Sequence, residues 1–205
     1  MFNDLDKTLE ELLRRELPAT LIGPEATSPV GISFATPDQD FATSKPSNAP
    51  VINLFLYDVR ENLELRSNQG SLIRQHDENI PRSVKTRPPV RVDCSYLVTV
   101  WSASIPPSPE QEHQILGEVI KALIRYPRIP AQVLKGSLVG QEPPLRALTL
   151  RPTLLQSLGE FWQAMGGKPR PAINYTVTLA IPVYNTEESV PLVTDMLIAP
   201  QQSIL

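Results

Sequence analysis

The sequence is poor in the residues that perform chemistry. One cysteine in 205 residues, Cys94, excludes an internal disulfide framework and any zinc site built from several thiolates. The two histidines, His76 and His113, form neither H-x-x-x-H nor H-E-x-x-H, which leaves no histidine-based metal motif. The nine glycines include no G-x-G-x-x-G and no G-x-S-x-G. Gly166-Gly167-Lys168 fails as a phosphate loop: Trp162 stands where the first glycine belongs, and Pro169 stands where a Ser or Thr is needed. Aromatic residues are only 6% of the chain and fall where core is expected, so no ligand pocket can be assembled from them. No run reaches the ~18 apolar residues of a membrane span. The opening MFNDLDKTLEELLRRELP lacks an apolar signal core, so the expectation is a soluble protein made and folded in the cytoplasm, without membrane insertion. A net charge of -3 argues against a general nucleic-acid binder and leaves room only for a local basic patch.

Proline, by contrast, is abundant. Twenty-two prolines, against a usual share of ~5%, exclude an all-helical bundle or coiled coil, because each interior proline removes a hydrogen bond and clashes with the preceding turn. A hydrophobic fraction of 41% with 20% charge still suits a globular chain, and the length suits one domain with arms.

Along the chain, Phe2, Leu5, Leu9, Leu12 and Leu13 recur at helical spacing, with Asn3 or Asp4 placed to cap and Pro18 to stop the helix. Its charged side reads as a solvated face; the sharper reading docks its leucine stripe on a neighbouring subunit. Between Pro18 and Pro50 only Val30–Ala35 looks like a strand. Val51–Val59 reads as a central strand, apolar on both faces. Ser71–Pro89 reads as a mobile, charged excursion at the tip of an antiparallel pair completed by Arg91–Ala103, in which Val92, Cys94, Tyr96, Val98 and Val100 share a face. The second helix is the best signalled, with Ser108 as cap, Pro109 at the first position, Gln111 completing a capping box and Pro127 as stop. Its buried stripe reads as Ile115, Leu116, Val119, Ile120, Leu123 and Ile124. Ile129–Val139 reads as a short helix followed by a strand, and Leu145–Arg151 as a strand. A third helix is expected over Thr153–Met165, stopped by Gly166-Gly167. Ile173–Val183 is the cleanest strand, and Pro191–Ala199 is a β-like patch in the tail. This order predicts a single α+β domain: a mixed, largely antiparallel sheet with its helices packed on one face, plus loop and C-terminal arms.

The remaining candidates for chemistry are few. Cys94 on an inward strand position reads as a buried structural thiol. His113 falls on the polar side of its helix, and His76 in an exposed loop. Asp38 and Asp40 form a D-x-D pair that reads as loop solvation; with Asp58 they are the carboxylates from which a cryptic enzyme site would be drawn. Phe161 and Trp162 anchor the third helix to the sheet or, alternatively, to a neighbouring subunit.

Three segments carry a resemblance: Ile32–Phe41 (ISFATPDQDF), Ile52–Asn62 (INLFLYDVREN) and Glu160–Val183 (EFWQAMGGKPRPAINYTVTLAIPV). In this order, with VDCSYLVTVWSA and a capped helix between them, the chain from about Asp4 to Val183 resembles the cap family of extracellular contractile injection systems. These caps are similar to phage tail-terminator proteins. The resemblance implies a homo-hexameric ring that ends the inner tube and the sheath of a phage-tail-like particle, away from the baseplate. It implies no catalysis and no cofactor. Residues 1–185 would form the cap domain and 186–205 a tail or arm; several family members carry a longer C-terminal extension. The family-motif positions with a structural role would be Phe34, Pro37, Phe161, Trp162, Gly166, Gly167, Pro169 and Tyr175. Candidate assembly contacts are Arg60, Arg66, Arg74 and Arg82 in the charged excursion and its flank, with Leu192, Val193, Met196 and Leu197 in the tail. The alternative is a non-enzymatic adaptor that binds effector or tail components without closing a ring.

Overall fold

Four leucines set the first helix. Leu5, Leu9, Leu12 and Leu13 of α1 (Phe2–Glu16) are fully buried, while Phe2 is partly exposed. No side chain caps α1; the first-turn carboxylate of Asp4 instead accepts the N–H and hydroxyl of Ser137, at 3.1 and 2.7 Å. Gly136 makes this contact possible, since its φ of +55° suits glycine and a Cβ there would collide with the Asp4 carboxyl. That left-handed residue also explains why no strand forms at 136–139: two 3-10 turns, Ala131–Val133 and Gly136–Leu138, stand there instead.

The computed structural model describes residues 1–23, 26, 28–41, 49–67, 71–77, 80–104, 106–152, 155, 157–183 and 190–191, with 71–77, 80–86 and 190–191 described by backbone. These separate into two compact units, Met1–Leu63 with Arg91–Ala180, and Glu64–Val90 with the residues from Ile181.

The first unit holds a five-stranded sheet. After a one-turn helix α2 (Ala19–Ile22), β1 (Gly31–Ser33) runs parallel to β2 (Val51–Glu61). β2 pairs antiparallel with β5 (Val90–Trp101), with a register shift between Leu56 and Asp58. β7 (Ala172–Ile181) follows β5 in the sheet, and β6 (Arg146–Thr149) closes the order β1-β2-β5-β7-β6, pairing antiparallel with β7. The bonds Ser95–Thr176 and Asp93–Thr178 run in opposite senses along β5 and β7, as in an antiparallel pair. β6 ends at Leu150, whose φ of +62° breaks the extended run.

Helices cover both faces of this sheet, not one. From Cys94 to Trp101 every residue of β5 is buried, so both alternating sets of side chains need a cover. On one face, α1 packs beside α3 (Pro109–Arg125), and the Tyr96 hydroxyl donates to Asp6 Oδ1 of α1 at 2.8 Å. On the other, Leu97 and Trp101 of β5 meet Val51, Phe41 and Trp162 of α4 (Leu158–Ala164). The α3 cap forms as read, with Ser108 Oγ accepting the Gln111 N–H at 3.4 Å. Its stripe is narrower than the sequence suggests: Glu112, Ile115, Val119, Ala122 and Leu123 are buried, and Ile124 is exposed. α4 starts later than expected, where Ser157 accepts the Glu160 N–H at 3.2 Å; residues 153, 154 and 156 lie outside the described set. Gly166, with φ +68°, ends it.

The second unit is a three-stranded sheet of order β3-β4-β8. β3 (Ser71–Asp77) and β4 (Ile80–Thr86) form an antiparallel hairpin where the sequence reads only as a mobile excursion. A ladder is made of backbone hydrogen bonds, so it can form in a segment whose side chains show no clear period. β8 (Val190–Pro191) pairs with β4 at the start of the tail patch, and the rest of that patch lies outside the described residues.

Candidate functional site

The described side chains that could react lie in separate elements. Cys94 is fully buried, and burial pushes its thiol up to about 12, so no thiolate is available at neutral pH. His113 is exposed on α3, and His76 sits in β3. Asp38 accepts the Phe41 N–H at 2.9 Å, closing its own turn. Asp58 lies on β2 and holds Arg60 at 2.7 and 2.8 Å. Asp38 and Asp58 are thus occupied in different elements, and among the described residues no group of three His, Cys, Asp or Glu could hold a metal ion.

The family-motif segment instead builds a joint. The α4 footprint brings Phe161 against Phe55 and Trp162, at ring-centroid distances of 6.1 and 5.3 Å, and Phe41 against Trp101 at 4.9 Å. Trp162 is 2% exposed, so it is a core anchor of its own subunit. Pro37 is buried beneath the turn before Phe41, and Phe34 and Phe161 are half-buried. Gly166 and Pro169 are exposed; Gly167 donates its N–H to Trp162 at 3.0 Å and turns the chain back. Arg170 then lies over the Trp101 ring, 4.0 Å from its centroid, and donates to Glu112 Oε1 at 2.7 Å. The same oxygen accepts the N–H and hydroxyl of Ser102, at 3.1 and 3.0 Å. One nearly buried carboxylate therefore ties α3, the loop after β5 and the segment after α4. Tyr175 is fully buried on β7, where burial raises its hydroxyl above the usual tyrosine range.

The candidate contact residues are spread over both units. Arg60 is exposed on β2 in the first unit. Arg66 is exposed after a 3-10 turn in the second, while Arg74 and Arg82 lie on β3 and β4, opposite Ser83 and Gln75. Leu192, Val193, Met196 and Leu197 lie outside the described residues. Sequence reading missed a further polar field. Beyond α4's footprint, Asp93 Oδ1 accepts the Thr178 hydroxyl at 2.6 Å and Asp93 Oδ2 accepts Asn62 Nδ2 at 2.9 Å, with Arg91, Arg128 and Arg146 around them. The alternation of Arg91, Asp93 and Ser95 along β5 was the one local signal; the rest depended on strand register.

Among the described residues of this α+β domain, the aromatic residues of the motif segment and the carboxylate of Glu112 serve packing. Residues 4–195 match the Pvc16 N-terminal domain family, and the chain belongs to that family. It is similar to the PVC sheath/tube terminator in its extended state, from an extracellular contractile injection system solved by cryo-electron microscopy. That likeness has 28% identity and a TM-score of 0.65, and spans all of this chain and 64% of the other. It is also similar to the anti-feeding prophage tube-terminating cap, with 26% identity and a TM-score of 0.62 over 96% of this chain and 60% of that one. The chain thus spans less than two thirds of the length of either. No curated protein matches it. No described helix is long and apolar enough to cross a membrane.

Proposed function

We propose that this chain is a non-enzymatic cap that terminates the inner tube and sheath of a phage-tail-like contractile injection particle, assembled in the cytoplasm as a homo-hexameric ring. The carrying observation is the likeness to two terminators across 100% and 96% of this chain. Ring closure needs two different, complementary patches on each subunit. In this reading the second unit supplies contact surface: β3 stands at the edge of its sheet, and an edge strand can add a neighbour's strand by backbone hydrogen bonds. Residues from 186 onward act as an arm, with Leu192, Val193, Met196 and Leu197 as its apolar contacts. The test mixes the purified chain with purified tube and sheath. Light scattering should give a hexameric mass, and electron micrographs should place one ring at a single tube end. A strict monomer at high concentration that joins neither tube nor sheath would overturn this reading in favour of a soluble adaptor.

A further inference from the structure

Where α4 stops covering the sheet, the same face carries a cross-strand row: Arg60 of β2, Asp93 of β5, Thr178 of β7, Arg146 of β6, and Arg128 on the segment after α3. The pairings Arg60 with Asp93, Arg146 with Thr178 and Arg128 with Arg146 fix the row, with Thr178 bonded to Asp93 in its middle. Arg128 and Arg146 face each other at a non-hydrogen-bonded position, since the flanking bonds are Ala147 N–H to Pro127 O and Ile129 N–H to Leu145 O, at 2.9 and 3.0 Å. This is the closer kind of antiparallel pair, with Cα atoms about 4.5 Å apart, and like charges placed so are destabilising.

Among the described residues, the row's own carboxylate makes no ion pair with these arginines. Both oxygens of Asp93 are engaged by Thr178 and Asn62, and Asp58 holds Arg60. Arg91, two residues before Asp93 and therefore on the same face, is 8% exposed, and its Nε has no hydrogen-bond partner. Burial and then the neighbouring Arg146 charge lower its pKa, with Asp93 opposing them. Arg91, Arg128 and Arg146 thus share one sheet face, two of them exposed and the third buried with an unpartnered Nε. We propose that Arg91, Arg128 and Arg146 form a docking site for an acidic segment of a partner protein, its carboxylates lying between the guanidiniums.

The chemistry selects this occupant. A guanidinium fork matches a carboxylate in two parallel bonds, and an anion between Arg128 and Arg146 turns their repulsion into attraction. Nucleic acid fits less well, because Asp58 and Asp93 on the same face repel a dense row of phosphates and the chain's net charge is -3. A second copy docking through its α1 fits less well too. The carboxylates of α1 already have partners in their own subunit: Asp4 binds Ser137, Asp6 binds Tyr96, Glu10 binds Arg14, Glu11 binds Lys135 and Glu16 binds Arg125. The site does not depend on the cap reading, and either can fail alone.

The test uses the full chain and a fluorescently labelled peptide of alternating glutamate and serine, with the lysine–serine peptide and a single-stranded oligothymidylate as controls. The variant is Arg128→Gln with Arg146→Gln, both exposed positions. The acidic peptide should bind the native chain, bind at least about tenfold more weakly to the variant, and weaken as salt rises. It should raise the melting temperature of the native chain and not that of the variant. The variant alone should melt no lower than the native chain, because removing a like-charged pair costs nothing. The proposal is overturned by equal peptide affinity in both proteins, by no peptide binding, or by tighter binding of the oligonucleotide. A change in oligomeric mass of the variant with peptide affinity intact also overturns it, by placing a second copy on the arginines.

Discussion

Two aspartates two residues apart, on different faces of α1, have opposite electrostatic lives. Asp4 on α1 accepts the hydroxyl and then the N–H of Ser137, and these bonds pull its carboxyl from the ordinary 3.8 to about 2. Asp6, on the face toward the sheet, is raised by burial, partly offset by the Tyr96 hydroxyl bond. The signs differ accordingly. A depressed carboxyl adds stability above its unfolded pKa and loses it as pH falls through the folded value; a raised one gains as pH falls. Asp4→Asn should therefore flatten the fall in melting temperature between about pH 4 and pH 2, leaving the Asp6 contribution in view. Thermal melts of both proteins across that window check it, and parallel curves would show that Asp4 does not hold the Gly136–Leu138 turn through its charge.

At the scale of elements, the joint around Glu112 decides whether α3, the loop after β5 and the segment after α4 hold together. Arg170 and Glu112 are only 17% and 11% exposed, and removing one partner of such a pair leaves a charge without compensation. Arg170→Ala should cost about 3 kcal/mol by urea unfolding. Arg170→Lys should recover little, because lysine cannot lie flat on Trp101 while also reaching the carboxylate. A loss below about 1 kcal/mol would mean that Ser102 and water suffice for Glu112. The α3 cap was legible in the sequence because Ser108, Pro109 and Gln111 carry their signal within four consecutive residues. The core role of Trp162 was half legible, with its own sheet and a neighbour left as alternatives. The face that α4 covers was not, because it depends on β5 being apolar on both sides, and the alternating set from Val92 to Val100 drew attention to one. Asp4 was read as a cap because a first-turn carboxylate usually has no better partner than free amides; Ser137 is far along the chain and outbids them. The arginine row needed the register of four strands at once, which no local window holds.

For the whole molecule, the decisive question is which parts are fold and which are surface for others. The ladder between β2 and β5 runs from Val51 with Trp101 to Glu61 with Val92, and Asn62 adds a bond from its N–H to Arg91 O at 2.8 Å. Those strands are thus already paired where the hairpin leaves the first unit, and their core residues, Ile52, Leu54, Tyr96 and Val98, are buried within that unit. Replacing residues 63–90 by an Asn-Gly turn should join Asn62 to Arg91 and let β2 and β5 continue as an ordinary hairpin. The shortened chain should unfold in urea with a single transition and keep its far-ultraviolet helix signal, while losing the proposed assembly with tube and sheath. If it fails to fold, the hairpin is part of the core and the division into two units does not describe stability. If it folds and still assembles, the edge strand β3 is not the contact, and the arm function would have to lie with the segment after residue 186 instead. Because folding and assembly are read separately, neither result can be mistaken for the other.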